Sequence, residues 1–507
     1  MDAMPRHFYI QTVGCQMNVL DSELVAAELR RAGYERADRV QRADIVLFNT
    51  CSVRQHAEDK IYSALGRLKP VKAERPAMLI GVLGCMAQKD RDEILRRAPY
   101  VDLVVGPGRL HQLPALLQRA AEGAGPCVDV SLDAGAGPHN VERLVTLPDR
   151  VHEPAESEAA LAADARSAVA RSFVSFCPPR TNLRSVPYQA MVRIMAGCDM
   201  RCTYCVVPRV RGPEQSRPAS EIVAEVRQLV DQGCVEVTLL GQTVNGYRDR
   251  TGPRTVRLAD LLERVSQVDG LRRLKFVTNH PRHMTSELLQ AMRDLPVVSP
   301  YLHVPAQSGS DVVLRRMKRA YDSAMYREML ARIRELLPRA AVTSDFIVGF
   351  CGETEDDFQR TAELVRESRF KNSFIFKYSA RPGTPAAELF KDDVPEAEKR
   401  RRNNALLAIQ NVISLEDNQA YLGRSVEVLV EGPSKVAKKQ TNAGRHRDAG
   451  AAGRTAQLVG RTVCDRIVVF DGPSNLTGRI LPVTIERIDA FTLFGRLNEE
   501  GSGGVPS

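Results

Sequence analysis

The stretch Gly197-Cys198-Asp199-Met200-Arg201-Cys202-Thr203-Tyr204-Cys205 places three thiols at a C-x3-C-x2-C spacing. The apolar run before it, residues 190–195, reads as a strand. The thiols therefore fall on one loop at that strand's carboxyl end, where α/β folds place their chemistry. A tight loop can bring three thiolates onto one cubic iron–sulfur cluster. The next cysteine, Cys234, stands 29 residues on, beyond a predicted helix. Three ligands for four irons leave one iron open to an exchangeable group, which a closed structural zinc or ferredoxin site lacks. A zinc site completed by a distant His or Cys is the competing reading.

Outward from this loop, β-rich runs at 235–240, 274–278, 300–304, 342–348 and 373–378 alternate with helical patterns that include 221–230, 258–268 and 325–337. Six βα units are too few for a closed eight-stranded barrel, so a partial barrel and an open doubly wound sheet both fit. Upstream, strands at 8–13, 44–49, 77–83 and 102–105 alternate with helical stretches at 22–31, 58–68, 91–97 and 113–121. Near-continuous apolar strands between helices predict a parallel sheet covered on both faces. Asp21 or Ser22 is placed to cap the first helix, and Gly33 to end it. Past Tyr421 the helical pattern stops. Short runs at 425–430, 466–470, 479–488 and 492–497, parted by Gly, Pro and Asn turns, predict a small antiparallel barrel. The expected organisation is an α/β domain over 1–125, a Gly/Pro/Ala-rich linker over 126–186, a second α/β domain over 187–419 and the small barrel over 420–497.

Of the 507 residues, 43% are hydrophobic and 26% charged, the balance of a chain that buries real cores. Lys and Arg outnumber Asp and Glu by 71 to 62, for a net charge of +9. From residue 421 to 497 there are 12 Lys and Arg against 7 Asp and Glu. A basic small barrel suits single-stranded nucleic acid, against the blander reading of a solvated surface. No window approaches 18 apolar residues without charge, which excludes a membrane span, and residues 1–15 do not read as a secretory signal. Eleven cysteines, an odd number in a long chain, point to metal or redox chemistry in a reducing cytoplasm rather than to disulfides.

Three more cysteines are informative by placement. Cys15, Cys51 and Cys85 are separated by 36 and 34 residues, which is no local metal spacing. Each directly follows a predicted strand and precedes a helix. In a parallel sheet all such junctions lie on one edge, so the three thiols can converge there. A cysteine buried as a small apolar residue is expected inside a strand instead.

The cysteine loop and the six βα units resemble the radical S-adenosylmethionine (SAM) enzymes. The segments Gly14-Cys-Gln-Met-Asn18, Asn49-Thr-Cys-Ser-Val-Arg54, Gly84-Cys-Met-Ala-Gln88, Leu239-Leu-Gly-Gln-Thr-Val-Asn-Gly-Tyr247, His303-Val-Pro-Ala-Gln-Ser-Gly-Ser310 and Tyr378-Ser-Ala-Arg-Pro-Gly-Thr384 resemble the radical SAM methylthiotransferases. These segments span nearly the whole chain, and the C-terminal barrel is similar to that family's TRAM domain. The forms around Cys15 and Cys51 resemble the MiaB-type tRNA branch. That branch adds a methylthio group to carbon 2 of N6-dimethylallyladenosine at position 37 of tRNA. Sister enzymes acting on threonylcarbamoyl-adenosine or on a ribosomal-protein aspartate are the alternatives.

The resemblance implies two 4Fe–4S clusters. Cys198, Cys202 and Cys205 would hold the SAM-chelating one, and Cys15, Cys51 and Cys85 an auxiliary one. It further implies two SAM molecules, the anticodon stem-loop of tRNA as partner, an external electron donor, a monomer and no membrane. Gln242, Gln307 and Ser308, with Asn245 and Ser310, lie at strand ends as candidates for SAM or adenine; turn-making competes for each. Arg193, Arg209 and Arg211 flank the cluster loop as candidates for phosphate or the SAM carboxylate. His303 reads as a hydrogen-bonded core histidine, and Cys127, Cys177, Cys234 and Cys464 as bystanders. The sequence departs from the family pattern at Cys351, where proline is usual, at Arg209, where an aromatic is common, and in the long stretches 126–186 and 435–454.

Overall fold

The computed structural model describes residues 6–52, 55–123, 125–132, 184, 186–437 and 455–498. Six parallel strands form the first sheet: β1 (His7–Val13), β2 (Glu35–Arg36), β3 (Ile45–Thr50), β4 (Leu79–Gly84), β5 (Leu103–Val105) and β6 (Cys127–Asp129), in the order β2-β1-β3-β4-β5-β6. All six residues of β3 and of β4 are buried, as expected of central parallel strands covered on both faces. Ile45 and Leu47 face helices α1 (Gln16–Arg31) and α4 (Leu113–Ala121). Val46 and Phe48 face α2 (Gln55–Glu74) and α3 (Cys85–Arg97). The chain leaves β1 towards β2 and leaves β3 towards β4, so the order reverses between β1 and β3. That reversal opens a crevice at their carboxyl ends, where open α/β sheets take ligands.

The helix start expected at Asp21 or Ser22 is corrected. α1 begins at Gln16, with Cys15 at its N-cap and Asp21 fully buried inside it. An aspartate within a helix reads as a cap only while its partners are unknown, and these lie more than 170 residues away. Gly33 does follow the helix end. Strands β2 and β6 were not anticipated, and β6 falls in the stretch read as linker. Most of that stretch, with Cys177, lies outside the described residues.

The second domain has six parallel strands in two sets of three. One set is β7 (Gln189–Arg193), β10 (Glu236–Leu240) and β13 (Arg273–Phe276); the other is β14 (Tyr301–His303), β15 (Ala341–Val348) and β16 (Asn372–Lys377). A parallel bridge between Leu274 and Val298 joins the sets into an open arc, the partial barrel rather than the flat doubly wound sheet. Two small hairpins, β8 (Met195–Ala196) with β9 (Gln215–Ser216) and β11 (Arg248–Asp249) with β12 (Val256–Arg257), decorate the carboxyl side. The helix-facing side of the arc is a single large apolar core in which Val192, Val237, Leu274, Leu302 and Phe346 pack against Ile222, Leu261, Leu289 and Leu330 of the surrounding helices.

After the long helix Glu396–Gln419, β17 (Ser425–Pro433), β18 (Thr455–Thr462), β19 (Ile467–Pro473), β20 (Ile480–Ile488) and β21 (Thr492–Leu497) close into a barrel. Its pairings are antiparallel except for β19 with β21, which run parallel. The barrel sits at the amino ends of the arc's strands. Arg273 donates to the carbonyls of Arg461 (2.9 Å) and Glu427 (3.1 Å), and Tyr188 to that of Glu431 (2.9 Å). Lys275 pairs with Asp465 at 3.2 Å.

Candidate functional site

Register places the early cysteines together. Val13 pairs with Thr50, and Thr50 with Gly84, so the chain leaves β1, β3 and β4 at one level. Cys51 and Cys85 are the next residues on their strands, and Cys15 follows Gly14. The approach is close: a Cβ on Gly14 would stand 2.6 Å from Cys51 Cβ. Asn18, fully buried on the first turn of α1, ties the ends of β1 and β3 together, and Thr50 Oγ1 ties β3 to β4 by donating to the Leu83 carbonyl at 2.8 Å. Asn18 accepts from the Cys15 thiol at 3.2 Å and donates to Asn49 Oδ1 and the Thr50 carbonyl, each at 3.1 Å. Hydrogen bonding to Cys51 draws the Cys15 thiol down to about 6 against the opposing effect of burial, and the Arg211 charge adds to the lowering. Burial pushes the Cys85 thiol up, and the same arginine opposes it.

The later cysteines sit on a loop pinched by the β8–β9 hairpin. Cys198 N–H donates to the Gly212 carbonyl (3.1 Å), and Thr203 is anchored through Met317, Arg316 and Ala386. Cys198 Sγ accepts from Met200 N–H (3.4 Å) and lies 3.6 Å from Thr243 Oγ1. Cys205 is pushed up to about 12, first by burial and then by its neighbour Cys202. Cys202 Sγ accepts from Arg319 Nη1 at 3.2 Å.

The two trios adjoin. Cys85 packs against Val206 and Val210, and Val206 directly follows Cys205. Met17, Leu20 and Leu24 of α1 pack on Leu240 at the end of β10. Between the trios, Asp21 accepts from Arg193 Nη2 (2.9 Å) and Arg211 Nη2 (2.7 Å), with all three side chains almost completely buried. This corrects the expectation that Arg193 and Arg211 meet phosphate or the SAM carboxylate. Arg209 donates to the Gly383 carbonyl at 3.0 Å.

Among the described residues no three His, Cys, Asp or Glu side chains stand close enough to hold one metal ion. Ligands to different irons of a four-iron cube are spaced more widely than ligands to one ion. Each trio offers the donors that such a cube needs: sulfur only, three per site, with cationic arginine beside it to offset thiolate charge. The residues therefore fit the group. Buried side-chain atoms without partners also gather at the carboxyl ends of the arc: Gln242 Oε1, Asn279 Oδ1 and His280 Nε2. Burial, reinforced by Arg319, holds the His280 imidazole neutral, its pKa near 3. Polar atoms left bare inside such a mouth suit a polar ligand.

The other candidates divide. Asn245 and His280 brace two loops by paired hydrogen bonds of 2.9 and 2.8 Å. Gln307 takes a positive φ of 69° and bridges to Phe346. Ser308 shares its hydroxyl with Thr361 (3.2 Å) and accepts from Ser310 N–H, while Ser310 caps the helix Asp311–Arg316. His303 meets Thr343 at 3.0 Å and Asp345 at 3.4 Å, as a core histidine does. Cys351 is buried with Phe350, Tyr378 and Val313; Cys234 bonds the Glu236 carbonyl; Cys127 lies in β6 and Cys464 beside Thr462. Asn18, Asp21 and Arg319 escaped the sequence reading. A buried polar residue looks like any surface one until its partners are known, although Asn18 in Cys-Gln-Met-Asn carried a signal by lying beside a thiol.

Three family models match the chain: "Uncharacterized protein family UPF0004" over residues 7–106, the radical SAM superfamily over 192–365 and the TRAM domain over 419–497. The chain is 52% identical over 509 residues, covering 100% of itself and 99% of the relative, to the tRNA-2-methylthio-N(6)-dimethylallyladenosine synthase of Rhodopirellula baltica. The synthase of that name from Mycolicibacterium vanbaalenii is 43% identical, over 92% of this chain and 82% of its own. Among solved structures, the radical SAM methyltransferase TsrM of Kitasatospora setae aligns with TM-score 0.49 and 13% identity, over 76% of this chain and 74% of that one.

Proposed function

The chain belongs to the tRNA-2-methylthio-N(6)-dimethylallyladenosine synthase family, and from that membership we propose that it adds a methylthio group to carbon 2 of N6-dimethylallyladenosine at position 37 of tRNA. Its cofactors are two 4Fe–4S clusters and SAM. The reading that Cys198, Cys202 and Cys205 hold the SAM-chelating cluster, and Cys15, Cys51 and Cys85 the auxiliary one, draws its main support from the two trios lying side by side, with Cys85 packed on Val206.

Carbon 2 of adenine is an unactivated aromatic position that no side-chain acid or base can functionalise. When bound, the two clusters supply the electron that cleaves SAM to a 5′-deoxyadenosyl radical and the sulfur that is transferred. The protein's residues position and shield. Arg211 offsets negative charge at Cys15 and Cys85. Thr243 lies beside Cys198, and Gln242, Asn279 and His280 offer bare polar atoms to SAM or adenine. Apolar packing on Val206 and Val210 shields the Cys85 thiol from water. The reaction takes place in the cytoplasm on the anticodon loop, by a monomer supplied by an external one-electron donor.

The test is the full chain carrying Cys198→Ala, Cys202→Ala and Cys205→Ala together. It should keep about half the iron and form no 5′-deoxyadenosine from SAM under anaerobic reduction. Continued SAM cleavage by this variant rejects the assignment. Mass spectrometry of tRNA from a strain lacking the protein should show dimethylallyladenosine without its methylthio group.

A further inference from the structure

Arg319 stands 117 residues from the thiol it touches, and the fold aims it there. The helix Asp311–Arg316 ends in a Schellman motif. Lys318 takes a φ of 55°, its N–H reaches the Arg315 carbonyl, and Arg319 N–H reaches that of Leu314, each at 2.9 Å. That turn sends the guanidinium towards the cluster loop. Nε donates to Tyr321 Oη at 2.9 Å, Nη2 to the Pro305 carbonyl at 3.4 Å, and Nη1 to both Cys202 Sγ (3.2 Å) and Tyr204 Oη (3.4 Å). Tyr321 Oη is itself fixed by the Pro305 and Ala306 carbonyls at 3.1 and 2.8 Å. The charged fork is thus clamped on three sides, with one N–H left on sulfur.

On the reading that Cys202 ligates the SAM-chelating cluster, we propose that Arg319 is a positioning residue that raises the reduction potential of that cluster by donating an N–H to the Cys202 thiolate. One electron enters from a low-potential one-electron donor, the cluster gains one negative charge, and no bond of the protein forms or breaks. A guanidinium is charged at every working pH, and a charge-assisted hydrogen bond to sulfur stabilises the more negative, reduced state. Hydrogen bonds to cluster sulfurs and nearby net charge are established determinants of such potentials. Removing the donor therefore disfavours reduction.

The experiment is an EPR-monitored anaerobic titration with dithionite and mediators. It uses the full chain with Cys15→Ala, Cys51→Ala and Cys85→Ala, so that only one cluster reports. Adding Arg319→Met should shift the reduction equilibrium against the reduced cluster at least about tenfold, equivalent to about 59 mV for one electron, with iron content unchanged. Arg319→Lys should fall between the two. An unchanged potential in an iron-replete Arg319→Met variant overturns the inference. So does loss of iron from both the Met and Lys variants, which would make Arg319 an assembly residue. Failure of the parent triple variant to bind any cluster instead removes the underlying ligand assignment, and the two failures are told apart by iron analysis before titration.

Discussion

Asp21 holds two arginines from a different domain, and all three are nearly dry. One carboxylate facing two guanidiniums leaves a net positive charge in the seam, and that charge lies next to Cys15 and Cys85. Asp21→Asn would leave both cations without a counter-charge. Removing one partner of a buried ionic group costs about 3–5 kcal/mol, and we expect a loss of that size in urea-induced unfolding of the full chain. A variant as stable as the parent would show that the seam tolerates its bare charge. The six cysteines were legible from the sequence because strand-end placement and C-x3-C-x2-C spacing are local patterns. Asp21 was not, because its role depends on Arg193 and Arg211, which fold topology brings to it. The same holds for Arg319, which in Lys-Arg-Ala-Tyr looks like an ordinary surface cation.

The strands that deliver the thiols leave no slack. β1, β3 and β4 pair in register up to Val13, Thr50 and Gly84. Gly14 then lies so near Cys51 that any side chain would collide with it. Gly14→Ala should therefore force Cys15 and Cys51 apart and lower bound iron to about half. The loop of Cys198 should be untouched, so 5′-deoxyadenosine formation in the absence of tRNA should persist. Iron analysis paired with that assay checks both halves of the expectation. Long apolar strands such as β3, β4 and β15 were legible from composition alone, to within a residue or two at their ends. The two-residue β2 and the three-residue β6 were not: strands so short carry no alternation to detect, and pairing with β1 and β5 makes them. Helix starts were read late because Cys15 and Gly84 are not residues that announce a cap.

At the scale of the whole molecule the thiols lie at the carboxyl ends of the arc and the basic barrel at its amino ends. A five-residue strand such as β10 spans about 16 Å, so an RNA that meets both must reach along the flank of the arc. Composition predicted the basic barrel but not how its charge is apportioned. Arg461 and Arg466 are paired with Asp465 and Asp417 on the side of the barrel that meets the arc, where Asp465 also pairs with Lys275. Arg424, Lys435, Arg479 and Arg487 remain on the exposed surface, Arg487 stacked over Phe494 at 3.5 Å. If those exposed cations grip the stem, the logarithm of tRNA affinity should fall with the logarithm of salt by about 0.7–0.9 per phosphate contacted. Filter binding from low to moderate salt measures the slope, and a flat curve would deny the barrel that role.

The separations that set the two trios apart also bear on how the molecule matures. Cys198, Cys202 and Cys205 occupy eight consecutive positions, so a chain still emerging from the ribosome can offer all three to an iron carrier. Cys15, Cys51 and Cys85 belong to one nest only after β1, β3 and β4 have joined. The early nest is thus a product of tertiary folding and the later one of local sequence, so unfolding of the first sheet would scatter Cys15, Cys51 and Cys85 while Cys198, Cys202 and Cys205 stay neighbours on one loop.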